Sequence, residues 1–300
     1  MNQPLMIIKN NSRLWYIIYA VVLTVLFLYV MFPSGALTKY IREQVEERYP
    51  DINISFNKVN LSLLAGIKIR GLKISSRENP GIPVLISEKS SVRISIPAWL
   101  KGDPRYYFES KVKGGEISGF VEEKNSVNKD RVDASIDIEN VKLDGNVIIH
   151  PVISKRLEGI LTGKIKFVGD LPDLLRGNAE ISLDLADGRF KLVNPVLDMN
   201  EIGFKKISLS CVLDNRRLSI KDLIMTGGPV NGSATGTVLL SNNLFSSRLG
   251  LTGEIEPSPS LFQDMPEAGK AINLIKNGMK DGKLKIEIHG TLEKPLYKFR

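Results

Sequence analysis

The chain has little of what enzymes and metal sites are built from. Among 300 residues there is one cysteine, Cys211, and two histidines, His150 and His289. A lone cysteine excludes an intramolecular disulfide, and two imidazoles with one thiol cannot supply the usual Cys and His zinc sets. No Gly-x-Ser-x-Gly elbow occurs, and no glycine loop is followed by Lys and Ser or Thr to cradle a phosphate. A charged arm is missing as well. The 41 Lys and Arg against 33 Asp and Glu leave a formal charge of +8 spread along the chain, whereas a nucleic-acid partner needs a basic stripe. These absences point away from catalysis, cofactors, metals and nucleic acid. With 43% hydrophobic and 25% charged residues the chain has a folded composition, and its length suits two modest domains or one elongated β-structure.

Long hydrophobic runs are also scarce, with one exception. Residues 14–32, LWYIIYAVVLTVLFLYVMF, contain no charge, glycine or proline. As a helix they reach roughly 28 Å, enough for a bilayer's hydrocarbon core. Leu14 and Phe32 bound the span, with Trp15, Tyr16 and Tyr19 near one end and Tyr29 near the other, where amphipathic rings favour the headgroup zone. The run is longer than a signal-peptide core, and Phe32-Pro33-Ser34-Gly35-Ala36 lacks a small-x-small cleavage site. An uncleaved anchor is therefore expected. Lys9 and Arg13 precede it without an acidic residue, so the positive-inside rule keeps residues 1–13 cytoplasmic and sends 33–300 outward, which in a Gram-negative cell means the periplasm.

Beyond the span, Leu37, Ile41 and Val45 recur every four residues and predict a short amphipathic helix ending near Tyr49-Pro50. From Asp51 the period becomes two. Ile52, Ile54 and Phe56, then Val59, Leu61 and Leu63, then Ile67 and Ile69, then Leu72 and Ile74 each alternate with polar residues, as half-buried strands do. Breaks at Asn57-Lys58, Ala65-Gly66 and Arg70-Gly71 suit short antiparallel turns, Gly71 being a candidate bulge. Val92, Ile94 and Ile96 make another strand, and Pro97 to Gly102 reads as one helical turn closed by glycine. The same grammar runs to Leu284, Ile286 and Ile288. The exception is 261–279, where Leu261, Met265, Ala268, Ile272, Ile275 and Met279 form an apolar helical stripe. The polar stretch 122–131 reads as a solvated loop, dividing a helix and β-meander at 33–121 from a β-rich region at 132–300.

A weak repeat accompanies the strands. Gly163-Lys-Ile-Lys-Phe-Val-Gly169-Asp-Leu-Pro172 shares its pattern of glycine, strand, glycine, leucine and proline with Gly282-Lys-Leu-Lys-Ile-Glu-Ile-His-Gly290-Thr-Leu-Glu-Lys-Pro295. Such units extend a sheet. The order of tail, span, amphipathic helix and the segment Ile52 to Ile74 resembles the start of the AsmA-like membrane proteins. So does Val92-Arg-Ile-Ser-Ile-Pro-Ala-Trp-Leu-Lys-Gly102, and Gly290 to Phe299 resembles their closing repeat. At this length the chain looks most like the type II secretion system protein N family, bitopic inner-membrane proteins. The resemblance covers nearly the whole chain. It implies a mainly β fold, an N-terminal transmembrane helix followed by an elongated antiparallel AsmA-like sheet with two short amphipathic helices. It also implies an accessory role in type II protein secretion, with other secretion-system components as partners and no catalytic residue to carry over.

Single residues have plain explanations. His150 stands before Pro151 and His289 ends a strand, with no second ligand near either. Cys211 alternates in phase with Leu209 and Leu213 and reads as a small buried hydrophobe rather than a nucleophile. Asp170, Asp173, Asp184 and Asp187 fall in turns or on the outer sides of strands, and Trp99 reads as core beside Leu100. Two roles remain, neither enzymatic: a docking component that pairs through its strand edges, and a lipid-binding or lipid-transfer protein whose apolar groove holds phospholipid. A closed sandwich would bury one face of every strand, whereas a groove would leave that face lined but empty. Periodicity alone does not choose between them.

Overall fold

The computed structural model describes residues 52–62, 66–76, 83–126, 129–147, 156–196, 199–258 and 282–299, with Met279 and scattered positions between 15 and 47. These residues form one antiparallel sheet of fifteen strands. The strands are β1 (Ile52–Ser55), β2 (Lys58–Ser62), β3 (Gly66–Ser76), β4 (Pro83–Ile94), β5 (Arg105–Val112), β6 (Gly115–Ser126), β7 (Lys129–Val147) and β8 (Arg156–Asp170). They continue as β9 (Asn178–Val196), β10 (Met199–Asp214), β11 (Arg217–Thr226), β12 (Val230–Leu239), β13 (Arg248–Pro257), β14 (Leu284–Thr291) and β15 (Pro295–Phe299). From β3 onward each strand pairs with the next, while β1 and β2 share the outer edge of β3. Neither pairs with β15, and among the described residues no second sheet covers the first. The sheet is open, and its fourteen side-by-side strands at about 4.8 Å each extend roughly 60 Å from edge to edge.

Strict alternation cannot run the length of such strands, because the apolar residues are not always two apart. In β3 the spacing is Ile67, Ile69, Leu72, Ile74; in β7 it is Ile136, Ile138, Val141, Leu143; in β11 it is Leu218, Ile220, Leu223, Met225. Each gap of three carries an irregularity. Gly71 has φ +64 and Asn140 has φ +51, and the register shifts between Ile138 and Val141 and between Ile220 and Leu223. One extra residue returns the next hydrophobe to the same side. Gly71 suits its place because the left-handed backbone costs glycine little. A Cβ there would also press on the Asn57 side chain.

Several expectations change. Arg70–Gly71 does not separate two strands, since β3 is continuous through the bulge. The stretch 122–131 is not a loop: 122–126 and 129–131 are the paired ends of β6 and β7, with Lys124 opposite Arg131, so no seam divides the sheet there. Lys124 on that ladder pairs with Asp133 at 3.6 Å, on the solvated face of the sheet. The helical turn is present as α1 (Ile96–Leu100), ending near Gly102 at φ +90. Trp99 is 58% exposed there, with Leu100 also exposed, so neither fills the core. Thr38, Lys39, Tyr40 and Glu43 are helical, and Lys39 pairs with Glu43. The stripe at 261–279 lies outside the described residues except for Met279.

Candidate binding face

Antiparallel pairing puts directly opposed residues on the same face, so the register can be followed from strand to strand. One row runs Tyr297, Ile288, Leu251, Gly236, Ile220, Cys211, Ile181, Ile165, Ile136, Gly119, Phe108, Val92, Ile67 and Leu61. It crosses the sheet from β15 to β2 without a charged residue. A parallel row holds Phe299, Ile286, Ala234, Leu223, Leu209, Leu183, Ile138 and Ile117. The first row is thus apolar from one edge of the sheet to the other. It is mostly half-buried rather than enclosed.

Its best-packed part is at β8 to β10, where Leu157, Leu185 and Phe204 are buried and Leu143, Leu161, Phe190, Ile207 and Met225 pack around them. Lys205 and Asp187 drop out of the β9–β10 ladder, and Asp187 has φ +48, which brings Phe204 back to the side of Ile207. Glycines in the rows make room for large neighbours. A Cβ at Gly119 would lie 2.9 Å from the Phe108 ring and closer still to the Ser135 carbonyl. Gly188 similarly receives the ring of Phe204.

One polar group interrupts the strip. Between Ile69 and Ile117 the row carries Ser90 and Ser110. Ser110 Oγ donates to Ser90 Oγ at 2.9 Å, Ser90 Oγ donates to Ser87 Oγ at 2.9 Å, and Ser87 Oγ reaches the Lys111 carbonyl at 2.9 Å. Ser87 is fully buried and Ser90 nearly so. These hydroxyls satisfy one another, which is what lets them sit among hydrophobes. Nothing in their local sequence distinguishes them from the serines of solvated strand faces; only the pairing of β4 with β5 brings them together.

The opposite face is laced with ion pairs. Lys164 lies 2.9 Å from Asp137 and Lys206 3.2 Å from Asp184, while Lys283 and Lys285 flank Glu254. The Ser208 hydroxyl donates to Asp184 at 2.7 Å and, with Lys206, holds that carboxyl below the usual carboxylate range. In the connections at the strand ends, Asp173 is held low by its bond from Arg216, 2.5 Å away. Arg105 donates to Glu122 and lies over the Phe120 ring at 4.7 Å, and the bonds to Tyr107 and Glu122 hold its guanidinium charged. Asp170, Asp173, Asp184 and Asp187 do not converge. Cys211 is buried in the apolar row, and burial pushes its thiol up, against nucleophilic use. His289, within β14, faces Glu287 at 3.6 Å; His150 lies outside the described residues. Among the described residues no group of three or more His, Cys, Asp or Glu is placed to hold a metal.

Of the residues read as the anchor, Trp15, Tyr16 and Tyr19 are helical and exposed. Leu14, Tyr29 and Phe32, with the topology charges Lys9 and Arg13, lie outside the described residues. Among those described, no helix is long and apolar enough to cross a membrane. No protein-family model, curated protein or solved structure matches the chain.

Proposed function

We propose that this protein holds the acyl chains of phospholipid along the apolar face of its open sheet, as a single-pass, non-enzymatic protein of the bacterial inner membrane. The observation that carries this reading is the continuous strip from Tyr297 to Leu61 with no second layer over it among the described residues. Apolar surface left to water costs about 25 cal/mol per Å², and contiguous patches of this kind mark binding sites on soluble surfaces. A lipid tail matches a face of Ile, Leu, Val and glycine that offers no hydrogen bonds, since the serines there bond to one another. The anchor at 14–32 would station the sheet beside its lipid source. The resemblance to type II secretion system protein N supplies the setting, an accessory part in protein secretion.

A photo-crosslinking amino acid placed in the full chain tests the face directly. Ile181 and Ser182 are neighbours in β9 on opposite sides of the sheet. Phospholipid adducts are expected from a probe at position 181 and not at 182; absence at 181, or equal yields at both, overturns the reading.

A second reading has its own observation. The outer edge of β15 pairs with no described strand, so its free backbone groups can receive a strand from a secretion-machine partner. Pro295 and Lys298 blunt that edge without closing it. A crosslinker at Lys298 that captures a defined secretion component, with no lipid at 181, would favour this docking role.

A further inference from the structure

Every second connection of the meander falls at the same end of the strands. That rim carries α1 between β4 and β5, the 3-10 turn Leu171–Arg176 between β8 and β9, the turn at 215–216, the 3-10 turn Leu244–Ser246 between β12 and β13, and the turn at 292–294. The largest exposed hydrophobic side chains of these connections are Ile96, Trp99, Leu100, Leu174, Leu244 and Phe245, at 64%, 58%, 73%, 49%, 53% and 48% exposure. At the other end, the described connections at 113–114 and 227–229 contain only Lys, Gly and Pro. None of these six side chains is needed to close a hairpin, and α1 contains no buried residue.

The rim is also held in line. Arg216 N–H donates to the Leu175 carbonyl and Leu240 N–H to that of Arg216, while Leu292 and Glu293 N–H donate to the carbonyls of Ser247 and Phe245. From Leu171–Arg176 to 292–294 these connections are therefore bonded to one another, while the bonds of the α1 connection run to β5 and β6. Beside α1 a depression of about 570 Å³ opens, lined by Ile94, Ile96, Pro97 and Tyr107 with Arg93 as its cation. Arg93 and Lys101 are exposed and make no ion pair among the described residues, and Asp103 is the one carboxylate of that connection.

We propose that this rim is an interfacial membrane contact, resting α1 and the Leu244–Ser246 turn on the surface of a bilayer containing anionic phospholipid. Exposed apolar tips with cations beside them fit an anionic headgroup layer and the acyl region beneath it. Trp99 with Ile96 and Leu100 supplies the aromatic and aliphatic wedge that settles at the headgroup level, and Arg93 and Lys101 face the anionic headgroups. The contact sets the strands upright on the bilayer, so that a chain leaving the membrane enters the sheet from its side. It is separate from what the apolar face holds.

The sequence has two tryptophans, Trp15 and Trp99, so the full chain carrying Trp15→Phe reports from Trp99 alone. It is combined with vesicles of phosphatidylcholine containing about a quarter phosphatidylglycerol, with bromine on the upper acyl positions. The expected result is a blue-shifted emission quenched about twofold or more, with most of that quenching lost in Arg93→Glu/Lys101→Glu or in pure phosphatidylcholine. Emission that stays at the water-exposed wavelength without quenching overturns the proposal, as does quenching of equal size in both lipid mixtures. Lipid adducts at position 181 alongside an unquenched Trp99 would reject the rim contact and leave the groove standing. Quenching without those adducts would do the reverse.

Discussion

The two faces of this sheet share one backbone and one register, yet hold it together by different means. On the apolar face Leu185, Leu157 and Phe204 reach burial by overlapping across three strands. On the polar face the Lys164–Asp137 pair is well formed at 2.9 Å but its side chains are 52% and 40% exposed. Burying a leucine contributes about 1.5–3 kcal/mol, and an exposed ion pair contributes about 0–1 kcal/mol. Stability therefore resides on the side that is also the candidate for binding. What binds there adds to a face that already holds the packed cluster of β8 to β10.

Four substitutions or conditions would sharpen or break that contrast. Leu185→Ala should cost about 2–4 kcal/mol in denaturant unfolding, because it opens the β8–β10 cluster from its middle. A loss under about 0.5 kcal/mol would show that the apolar face is not where stability lies. Ser87→Ala should cost about 1–2 kcal/mol, since it leaves the buried Ser90 hydroxyl without its acceptor. Acidification should act first on carboxylates paired outside the apolar face. Asp173 and Asp184 are held below the ordinary carboxylate value, so their contribution is fully present above about pH 4 and is lost as pH falls through the lowered values. Melting curves taken across that range should fall less steeply in Asp184→Asn than in the parent. The smallest effect belongs to Lys164→Ala, expected within about 0.5 kcal/mol; a larger loss would mean the ion pairs work as a network.

Alternation made most strands legible, including Ile207 to Leu213 in β10 and Leu284 to Ile288 in β14. It failed where the apolar spacing was three. Ile69 to Leu72 and Ile138 to Val141 look the same in sequence whether the chain turns or bulges, and only the strand opposite decides. In β7 the ladder with β8 resumes after the shift, so the strand continues through the gap of three. Polarity misled at 122–131 because a solvated strand and a loop have the same composition. Trp99 misled for the opposite reason, its size suggesting core when its position on a rim connection leaves it in water.

The buried serine relay had no signal at all. Ser87, Ser90 and Ser110 lie on two strands joined through α1, and their separation of 23 residues end to end hides a chain of 2.9 Å hydrogen bonds. The bulk of the candidate face was nearer the surface of the sequence, since every residue in its long row belongs to an alternating segment or is a glycine between two.

By itself the sequence determined the β class, the single thiol buried at Cys211, the turn at α1 and the identity of the inward-reading side chains. These follow from local sterics and from the period of the pleat. Tertiary structure decided that the described strands join one sheet rather than two, that bulges carry the same side chains onto a single face, and that Trp99, Leu174 and Phe245 come to the same end of the strands. Those are matters of pairing between distant segments, where the ladder hydrogen bonds and not the neighbouring residues choose the register.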